Sequence, residues 1–171
     1  MTGAIYCRII NRMRWMTIDP GIEKTGWAAW HNYQLLEWGL ITSRDITSSG
    51  WFLIAQSMAG RVANLAVKVR AVRAVSEFPQ EMWGAKGRAA LNSGSVKKLA
   101  AYVGMIEGRL MAMGVSVSVV EPMAWKGQVG KDITKKRVLR DYPKVGPDHE
   151  SDVYDAIGIG RWKLKERRLS V

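Results

Sequence analysis

Acidic residues at the ends of two predicted strands are the first chemical feature of this 171-residue sequence. Asp19 ends a short apolar run that begins at Trp15, and a Pro-Gly turn follows it. Glu77 ends a second β-rich run, shortly before Pro79. Turn or loop chemistry alone explains either acid. If the two strands are parallel neighbours, however, both carboxylates emerge at one edge of the sheet, where they can hold a cation.

A second pair of acids lies near the C-terminus. Asp152 and Asp155 are three residues apart and therefore share a face of a predicted helix, with Asp148 as its N-cap one turn earlier on the same side. Acids in a first turn complement the helix dipole, which explains Asp148 and Glu150. Asp155 lies beyond that turn and repels Asp152 unless a cation separates them.

These four carboxylates predict a particular metal chemistry. The sequence has no His or Cys cluster, and the single cysteine, Cys7, excludes an intramolecular disulfide and a cysteine zinc site. Carboxylates without such ligands favour hard cations such as Mg²⁺ or Mn²⁺. Two such ions, roughly 3.5–4 Å apart, activate water and stabilise the leaving oxygen of a phosphodiester. The predicted reaction is hydrolysis of a DNA or RNA strand.

The charge of the chain points to the same substrate class. Lysine and arginine number 26 against 15 acids, which gives a net charge of +11 and favours a polyanionic partner. A solvated helix face is the alternative for the basic segment that follows residue 125. Trp83, beside Lys86 and Arg88, suits base stacking but can equally pack on the domain. The candidate DNA contacts are Trp83, Lys86, Arg88, Lys126, Lys131, Lys135 and Lys136.

Hydrophobic periodicity supplies the elements that position these residues. It predicts strands over residues 15–19, 25–31, 34–42, 72–78 and 115–120, the first three antiparallel, and helices over 51–69, 96–113, a segment capped by Asp132 or Thr134 and ending near 142, and 148–162. We expect a basic N-terminal extension over residues 1–14, with Met13 or Met16 as a possible natural start, and one domain over 15–171. The sequence contains no membrane helix or secretion signal, and we expect a cytoplasmic protein of a bacterium or a phage-infected host.

Three segments resemble the acidic motifs of RuvC-type Holliday junction resolvases, especially compact phage members of the RNase H-like superfamily. They are Ile-Asp-Pro-Gly-Ile-Glu-Lys-Thr-Gly-Trp-Ala from residue 18, Ser-Glu-Phe-Pro-Gln from residue 76 and Asp-Val-Tyr-Asp-Ala-Ile-Gly-Ile-Gly from residue 152. The resemblance covers residues 15 to about 162. It implies an α/β, RNase H-like fold, with a five-stranded mixed sheet of three antiparallel strands and then parallel strands, flanked by helices.

The resemblance also implies roles for the acids. Asp19 would bridge two Mg²⁺ or Mn²⁺ ions, Glu77 and Asp152 would bind one of them, and Asp155 the other. It implies a homodimer that nicks two opposed strands of a four-way junction and leaves 5′ phosphates. Lys126, Lys131 and Lys135 fall where the family contacts junction DNA, and the loop with Met82 and Trp83 falls where it enters the junction centre.

Several alternatives stay open at this point. In a second register, Asp148 or His149 replaces one of the two helix acids. Another RNase H-like nuclease, acting on forks, flaps, RNA hybrids or single strands, would use the same carboxylates, whereas a non-catalytic branched-DNA binder would use only the basic surfaces. A sugar-kinase-like ATPase is disfavoured because no second Gly-rich phosphate loop is present. Either the helix from residue 51 or the helix from residue 96 can supply a dimer face.

Overall fold

A five-stranded sheet forms the centre of the computed structural model, which describes residues 13–48, 50–79 and 94–169. Its strands are β1 (Arg14–Asp19), β2 (Lys24–His31), β3 (Gln34–Thr42), β4 (Arg73–Glu77) and β5 (Ser116–Val120). The helices are α1 (Trp51–Val69), α2 (Ser95–Ala112), α3 (Pro122–Trp125), α4 (Lys131–Asp141) and α5 (Ser151–Leu169), with a 3₁₀ turn at Pro143–Val145.

The order of the strands is β3-β2-β1-β4-β5. The strands β1, β2 and β3 pair antiparallel, while β4 is parallel to β1 and to β5. This is the predicted mixed sheet, and the predicted strands and first two helices are confirmed to within one or two residues. Because Asp19 and Glu77 end two adjacent parallel strands, their carboxylates share one edge of the sheet.

Each face of the sheet packs against its own pair of helices. Met16 and Ile18 belong to the hydrophobic core beneath α1 and α2, whereas Trp15 and Val75 belong to the core beneath α4 and α5. Successive side chains of a strand point to opposite faces. Asp19, four residues after Trp15, therefore belongs to the α5 side, and Glu77, two residues after Val75, belongs to it as well.

The predicted start of α4 was wrong. Neither Asp132 nor Thr134 caps the helix, because the residue at the N-cap is Gly130 and α4 already begins at Lys131. Thr134 is instead buried inside the first turns. The short helix α3, which begins at Pro122, was not predicted, although proline is favoured at a first helical position.

The predicted start and end of α5 were also wrong. Asp148 is not its N-cap, because the helix begins at Ser151 and continues to Leu169. The Tyr154 hydroxyl donates to the Gly146 carbonyl at 2.9 Å and accepts from the His149 backbone N–H at 3.3 Å. These bonds hold the preceding segment outside the helix, so Asp148 is exposed rather than one turn before Asp152 on its face.

Some predictions fall outside the described ranges. Trp83, Lys86 and Arg88 lie in 80–93, and residues 1–12 also lie outside, so the basic N-terminal extension stays a prediction, with β1 beginning at Arg14. Among the described residues, no helix has the length and apolar character needed to cross a bilayer.

Candidate active site

A cleft of about 530 Å³ opens at the sheet edge where β1 and β4 end. All four predicted acids line it: Asp19, Glu77, Asp152 and Asp155. Two predicted DNA-contacting lysines, Lys126 and Lys131, line the same cleft. The four acids come from three parts of the chain that are more than 50 positions apart in sequence, and they meet in one place.

A glycine in β2 lets the start of α5 approach the sheet closely enough to deliver Asp152. A Cβ atom on Gly26 would lie 1.9 Å from the Asp152 carbonyl oxygen. Gly26 pairs with Asp19 across the β1–β2 ladder, so the helix backbone passes directly beside the first acid. Only a residue without a side chain fits between them.

A buried hydrogen-bond chain fixes α5 beside the other helix acid. The Thr17 hydroxyl donates to the carbonyl of Ala156 at 2.7 Å, and the Trp30 indole N–H donates to the Thr17 hydroxyl at 3.0 Å. Both groups are fully buried, where a satisfied hydrogen bond is worth most. Ala156 follows Asp155, so these hydrogen bonds fix the position of Asp155 in the cleft.

The Lys126 ammonium lies between two of the acids. Lys126 Nζ is 3.1 Å from Asp155 Oδ2 and 3.6 Å from Glu77 Oε2. The Lys126 side chain is 21% exposed and that of Asp155 only 3%, so this charge cluster is poorly solvated. Lys131, which is mostly exposed, lies 3.6 Å from Asp152 Oδ1 and donates to the Ser151 hydroxyl.

The negative charge of the cleft acids exceeds the positive charge of their partners, and the pKa shifts reflect this excess. Burial, and then the charges of Glu77, Asp155 and Asp152, raise the pKa of Asp19 well above its usual value, against the weaker opposing influence of Lys126. Burial also raises the pKa of Glu77, although Lys126 and a Trp125 hydrogen bond oppose it. Burial lowers the pKa of Lys126, but Glu77 and Asp155 outweigh that effect and raise it. Among the described residues that line the cleft, acidic side chains therefore outnumber basic ones.

The residue types fit a hard divalent cation, although the cleft is not arranged as a formed metal site. Within residues 13–48, 50–79 and 94–169, no group of three or more His, Cys, Asp or Glu side chains could hold a metal ion as they stand. Asp155 Oδ1, however, is buried without a hydrogen-bond partner among those residues. Carboxylate oxygens are the ligands that Mg²⁺ prefers. An unused buried oxygen and an excess of acid both suit an added cation.

Sequence reasoning missed Trp125 as a residue of the site. Its indole N–H donates to Glu77 Oε2 at 2.7 Å, and its ring lies 4.7 Å from Lys126 Nζ. Gly158 of α5 leaves room for the ring, because a Cβ there would lie 2.7 Å from Trp125 Cζ3. The Trp-Lys-Gly sequence was noted as part of a basic segment, but only the short helix α3 brings the indole to Glu77.

The remaining predicted residues lie farther from the acids. Lys135 packs over the Tyr154 ring at 5.2 Å, and Lys136 is exposed on α4; neither lines the cleft. Asp148 and His149, the alternative helix ligands, do not line it either. His149 instead accepts a hydrogen bond from the Trp38 indole at 3.3 Å.

Comparison with known proteins supports the fold. The sequence matches no protein-family model and has no significant match among curated proteins. The structure is similar to RuvC of Thermus thermophilus in complex with a Holliday junction substrate, with a TM-score of 0.70 and 18% identity over 93% of this chain and 97% of that chain. A second Thermus thermophilus RuvC structure gives a TM-score of 0.66 and 19% identity over 91% and 96% of the two chains.

A viral protein has a similar fold, with a lower TM-score and a lower sequence identity. The Fowlpox virus resolvase, solved with Holliday junction DNA, gives a TM-score of 0.52 and 13% identity over 91% of this chain and 99% of that chain. The chain therefore has the RNase H-like fold of RuvC-type resolvases, as the motifs predicted. At these identities the similarity establishes the fold, and the chemistry has to be argued from the cleft.

Proposed function

We propose that this protein is a structure-selective DNA endonuclease that resolves four-way junctions by metal-dependent hydrolysis. In each strand, water adds to phosphorus and the bond to the 3′ oxygen breaks, which leaves a 3′ hydroxyl and a 5′ phosphate. The observation that carries this proposal is the convergence of Asp19, Glu77, Asp152 and Asp155 on one cleft of a strongly basic protein.

The four acids would hold two Mg²⁺ or Mn²⁺ ions. Bound there, such ions supply an activated water and stabilise the charge of the leaving oxygen. Asp19 ends the central strand β1, beside both Glu77 and the helix acids, and would be one of the residues that hold these ions. Asp155 contributes the buried oxygen that has no hydrogen-bond partner among the described residues.

The other cleft residues would position the ligands and the strand. Trp125 fixes one oxygen of Glu77, which leaves the other free to bind. Lys126 neutralises Glu77 and Asp155 while no divalent cation is bound. With divalent cations held by Glu77 and Asp155, the Lys126 ammonium would be available to contact a DNA phosphate.

The basic surfaces would grip the arms of the junction. Lys126 and Lys131 line the cleft itself, and Lys135 and Lys136 extend the positive surface along α4. We assign Trp83, Lys86 and Arg88 the same role, as predicted from the sequence. Backbone phosphates provide most of the affinity of such surfaces, which makes binding sensitive to salt.

Cleavage of two opposed strands requires two active sites, so we propose a homodimer. Large apolar side chains are exposed on both helices that were considered for the dimer face: Phe52, Leu53 and Val67 on α1, and Met111 on α2. Burying such side chains against a second copy would be favourable. Light scattering coupled to gel filtration measures the mass of the particle directly.

One observation favours a second candidate, a non-catalytic protein that binds branched DNA. The Lys126 ammonium already pairs with Glu77 and Asp155, and no metal-holding group is formed within the described ranges. In this alternative the acids and Lys126 form a structural charge cluster. Binding would then survive without a divalent cation, and no strand would be cut.

The test is cleavage of an end-labelled synthetic four-way junction beside a linear duplex, a fork and an RNA–DNA hybrid. Each substrate is incubated with Mg²⁺, Mn²⁺ or chelator, using wild type and Asp19→Asn. The proposal expects paired symmetric nicks with 5′ phosphates that require metal and disappear in the variant while junction binding persists. Junction binding without cleavage supports the second candidate, and equal cleavage of linear or hybrid substrates identifies a different RNase H-like nuclease.

A further inference from the structure

A groove of about 210 Å³ lies between α4 and α5, next to the acidic cleft. Its polar lining consists mainly of basic side chains over two indole rings: Lys126, Arg137, Arg161 and Lys165, with Trp125 and Trp162. None of the described residues that line it is acidic. We call it the basic groove; neither the motifs nor the proposed cleavage chemistry accounts for it.

Within the described part of the chain, two of these four cations pair with acids. Lys126 pairs with Glu77 and Asp155, and Arg161 pairs with Asp141. Arg137 and Lys165 are exposed, and neither forms an ion pair with any acid in the described part of the chain. The groove therefore presents two uncompensated positive charges to solvent, from opposite walls.

The groove and the acidic cleft share a wall. Lys126 lines both, and Trp125, which lines the groove, donates its N–H to Glu77 in the cleft. A single strand of DNA can therefore place one phosphate among the acids while a nearby phosphate of the same strand lies in the groove. The acids repel every phosphate that is not accompanied by a cation, so the strand needs attractive contacts close to the cut.

The chemistry of the lining favours a phosphate over a nucleobase. The Trp125 ring packs against α5 at Gly158, its N–H is used by Glu77, and Lys163 Nζ lies 5.3 Å from the Trp162 ring centre. The Trp125 indole is buried and the Lys163 ammonium occupies one face of the half-buried Trp162 ring, which disfavours base stacking at both. A guanidinium and an ammonium converging from two helices do match the oxygens of a phosphate.

We propose that the basic groove binds a backbone phosphate of the strand that is cut, with Arg137 and Lys165 as the contacting residues. This inference rests on the proposed nuclease function, because it assumes that a DNA strand occupies the acidic cleft. It assigns that strand a path across α3, from the ends of β1 and β4 toward the α4–α5 surface. Arg161 and Asp141 keep the intervening wall in place.

The experiment measures equilibrium binding of a labelled four-way junction in chelator, so that no cleavage occurs, over a series of salt concentrations. It compares wild type, the double variant Arg137→Ala/Lys165→Ala and the matched double variant Lys68→Ala/Arg73→Ala. Lys68 lies on α1, on the opposite face of the sheet, and Arg73 starts β4 at the opposite edge from Glu77; both are exposed. Thermal unfolding confirms that all three proteins are folded.

Removing both cations that contact this one phosphate should reduce the magnitude of the slope of log K against log salt by about 1 and weaken binding at moderate salt by roughly tenfold. The matched double variant should keep nearly the wild-type salt slope and nearly the wild-type affinity. A junction with one neutral methylphosphonate near the cut should weaken wild-type binding at a single position. When the methylphosphonate is at that position, the groove variant should bind the junction no more weakly than wild type does.

Two negative results overturn the inference in distinguishable ways. If wild type binds and cuts the junction but the groove variant keeps the full salt slope, the groove assignment is wrong and the proposed function stands. If wild type neither binds nor cuts branched DNA, the proposed function fails and the groove assignment fails with it.

Discussion

The acidic cleft and the basic groove lie side by side and are built partly by the same helix, yet their charged side chains differ in sign and in exposure to solvent. Asp152 and Asp155 come from the start of α5, and Arg161 and Lys165 from later turns. In the cleft the charges are largely removed from water, outnumber their partners and are positioned by short buried contacts. In the groove the two unpaired cations are long, exposed side chains.

This difference suits the acidic cleft to the cleavage chemistry and the basic groove to holding the DNA strand. Buried, desolvated charges interact strongly and depend on fractions of an ångström, whereas exposed cations act through a salt-screened field that tolerates movement. Substitutions in the cleft should therefore change cutting by large factors without a matching change in binding. Substitutions in the groove should change binding gradually and in proportion to salt.

The largest effect should follow Asp19→Asn. Loss of the Asp19 carboxylate should reduce junction cleavage about 10³-fold or more, equivalent to roughly 4 kcal/mol of transition-state free energy. Junction binding in chelator should stay within a few-fold of wild type. Single-turnover cleavage with excess enzyme measures the first quantity, and a matching loss of binding would contradict the division between cleft and groove.

The same variant should be more stable than wild type when no divalent cation is present. The raised pKa of Asp19 means that the folded state holds this proton more tightly than the unfolded state. Ionising the carboxyl therefore destabilises the wild-type fold as pH rises through the raised pKa. Asparagine has no such penalty, so its advantage in chelator, on the order of 1 kcal/mol, should grow with pH. An advantage largest at acidic pH would contradict this account.

Gly26→Ala should have the next largest effect, because the new Cβ meets helix backbone rather than a flexible side chain. We expect a loss of roughly 3 kcal/mol in the free energy of unfolding, together with displacement of Asp152. Gly104→Ala is the control, since a Cβ there meets nothing within 4 Å and alanine favours the middle of a helix. Urea denaturation compares the two, and equal stabilities would show that the approach of α5 is not tight.

Much of the cleft was predictable because its residues obey local rules. The apolar runs before Asp19 and Glu77 located the two strand ends, and helical spacing placed Asp152 and Asp155 on one face. The sequence does not reveal distances across the fold, such as the Trp125 indole to Glu77 or the Gly26 backbone to Asp152. The cap assigned to Asp148 was wrong because a tertiary contact, the Tyr154 hydroxyl on Gly146, holds that segment outside α5.

The groove could not be predicted because it depends on how two helices pack. Arg137 and Lys165 are 28 positions apart in the sequence, and each alone resembles any solvated cation. The basic composition indicated a polyanionic partner without indicating the strand's path. Only the packing of α4 against α5 puts the two side chains on facing walls.

Trp125→Phe should produce a smaller loss confined to catalysis. The phenyl ring keeps most of the packing against Gly158 but cannot donate to Glu77. Removing such an outer-sphere partner of a metal ligand typically costs 10- to 100-fold, and we expect a cleavage loss in that range with an increased requirement for Mg²⁺. Trp162→Phe, in the groove and without a contact to the acids, should leave the Mg²⁺ requirement unchanged.

The smallest effect, and the one that most sharply separates the two regions, should follow Lys126→Met. Methionine keeps much of the length of the side chain but removes the ammonium that lies between Glu77 and Asp155. The acids should then bind a divalent cation about tenfold more tightly, equivalent to roughly 1.4 kcal/mol, because a competing positive charge is gone. Calorimetric titration with Mg²⁺ or Ca²⁺ in the absence of DNA measures this without any cleavage.

Lys131→Met is the matched control, because that ammonium is mostly exposed and, of the four cleft acids, forms an ion pair with Asp152 alone. Its removal should increase cation affinity much less. If the two variants bind cations equally well, cation affinity in the cleft depends on total charge, as binding in the groove does, and not on the position of each ammonium. If Lys126→Met binds them less well than wild type, Lys126 holds the acids in a binding arrangement rather than competing for it. Tighter binding in Lys126→Met alone would identify its ammonium as the group that a divalent cation has to displace.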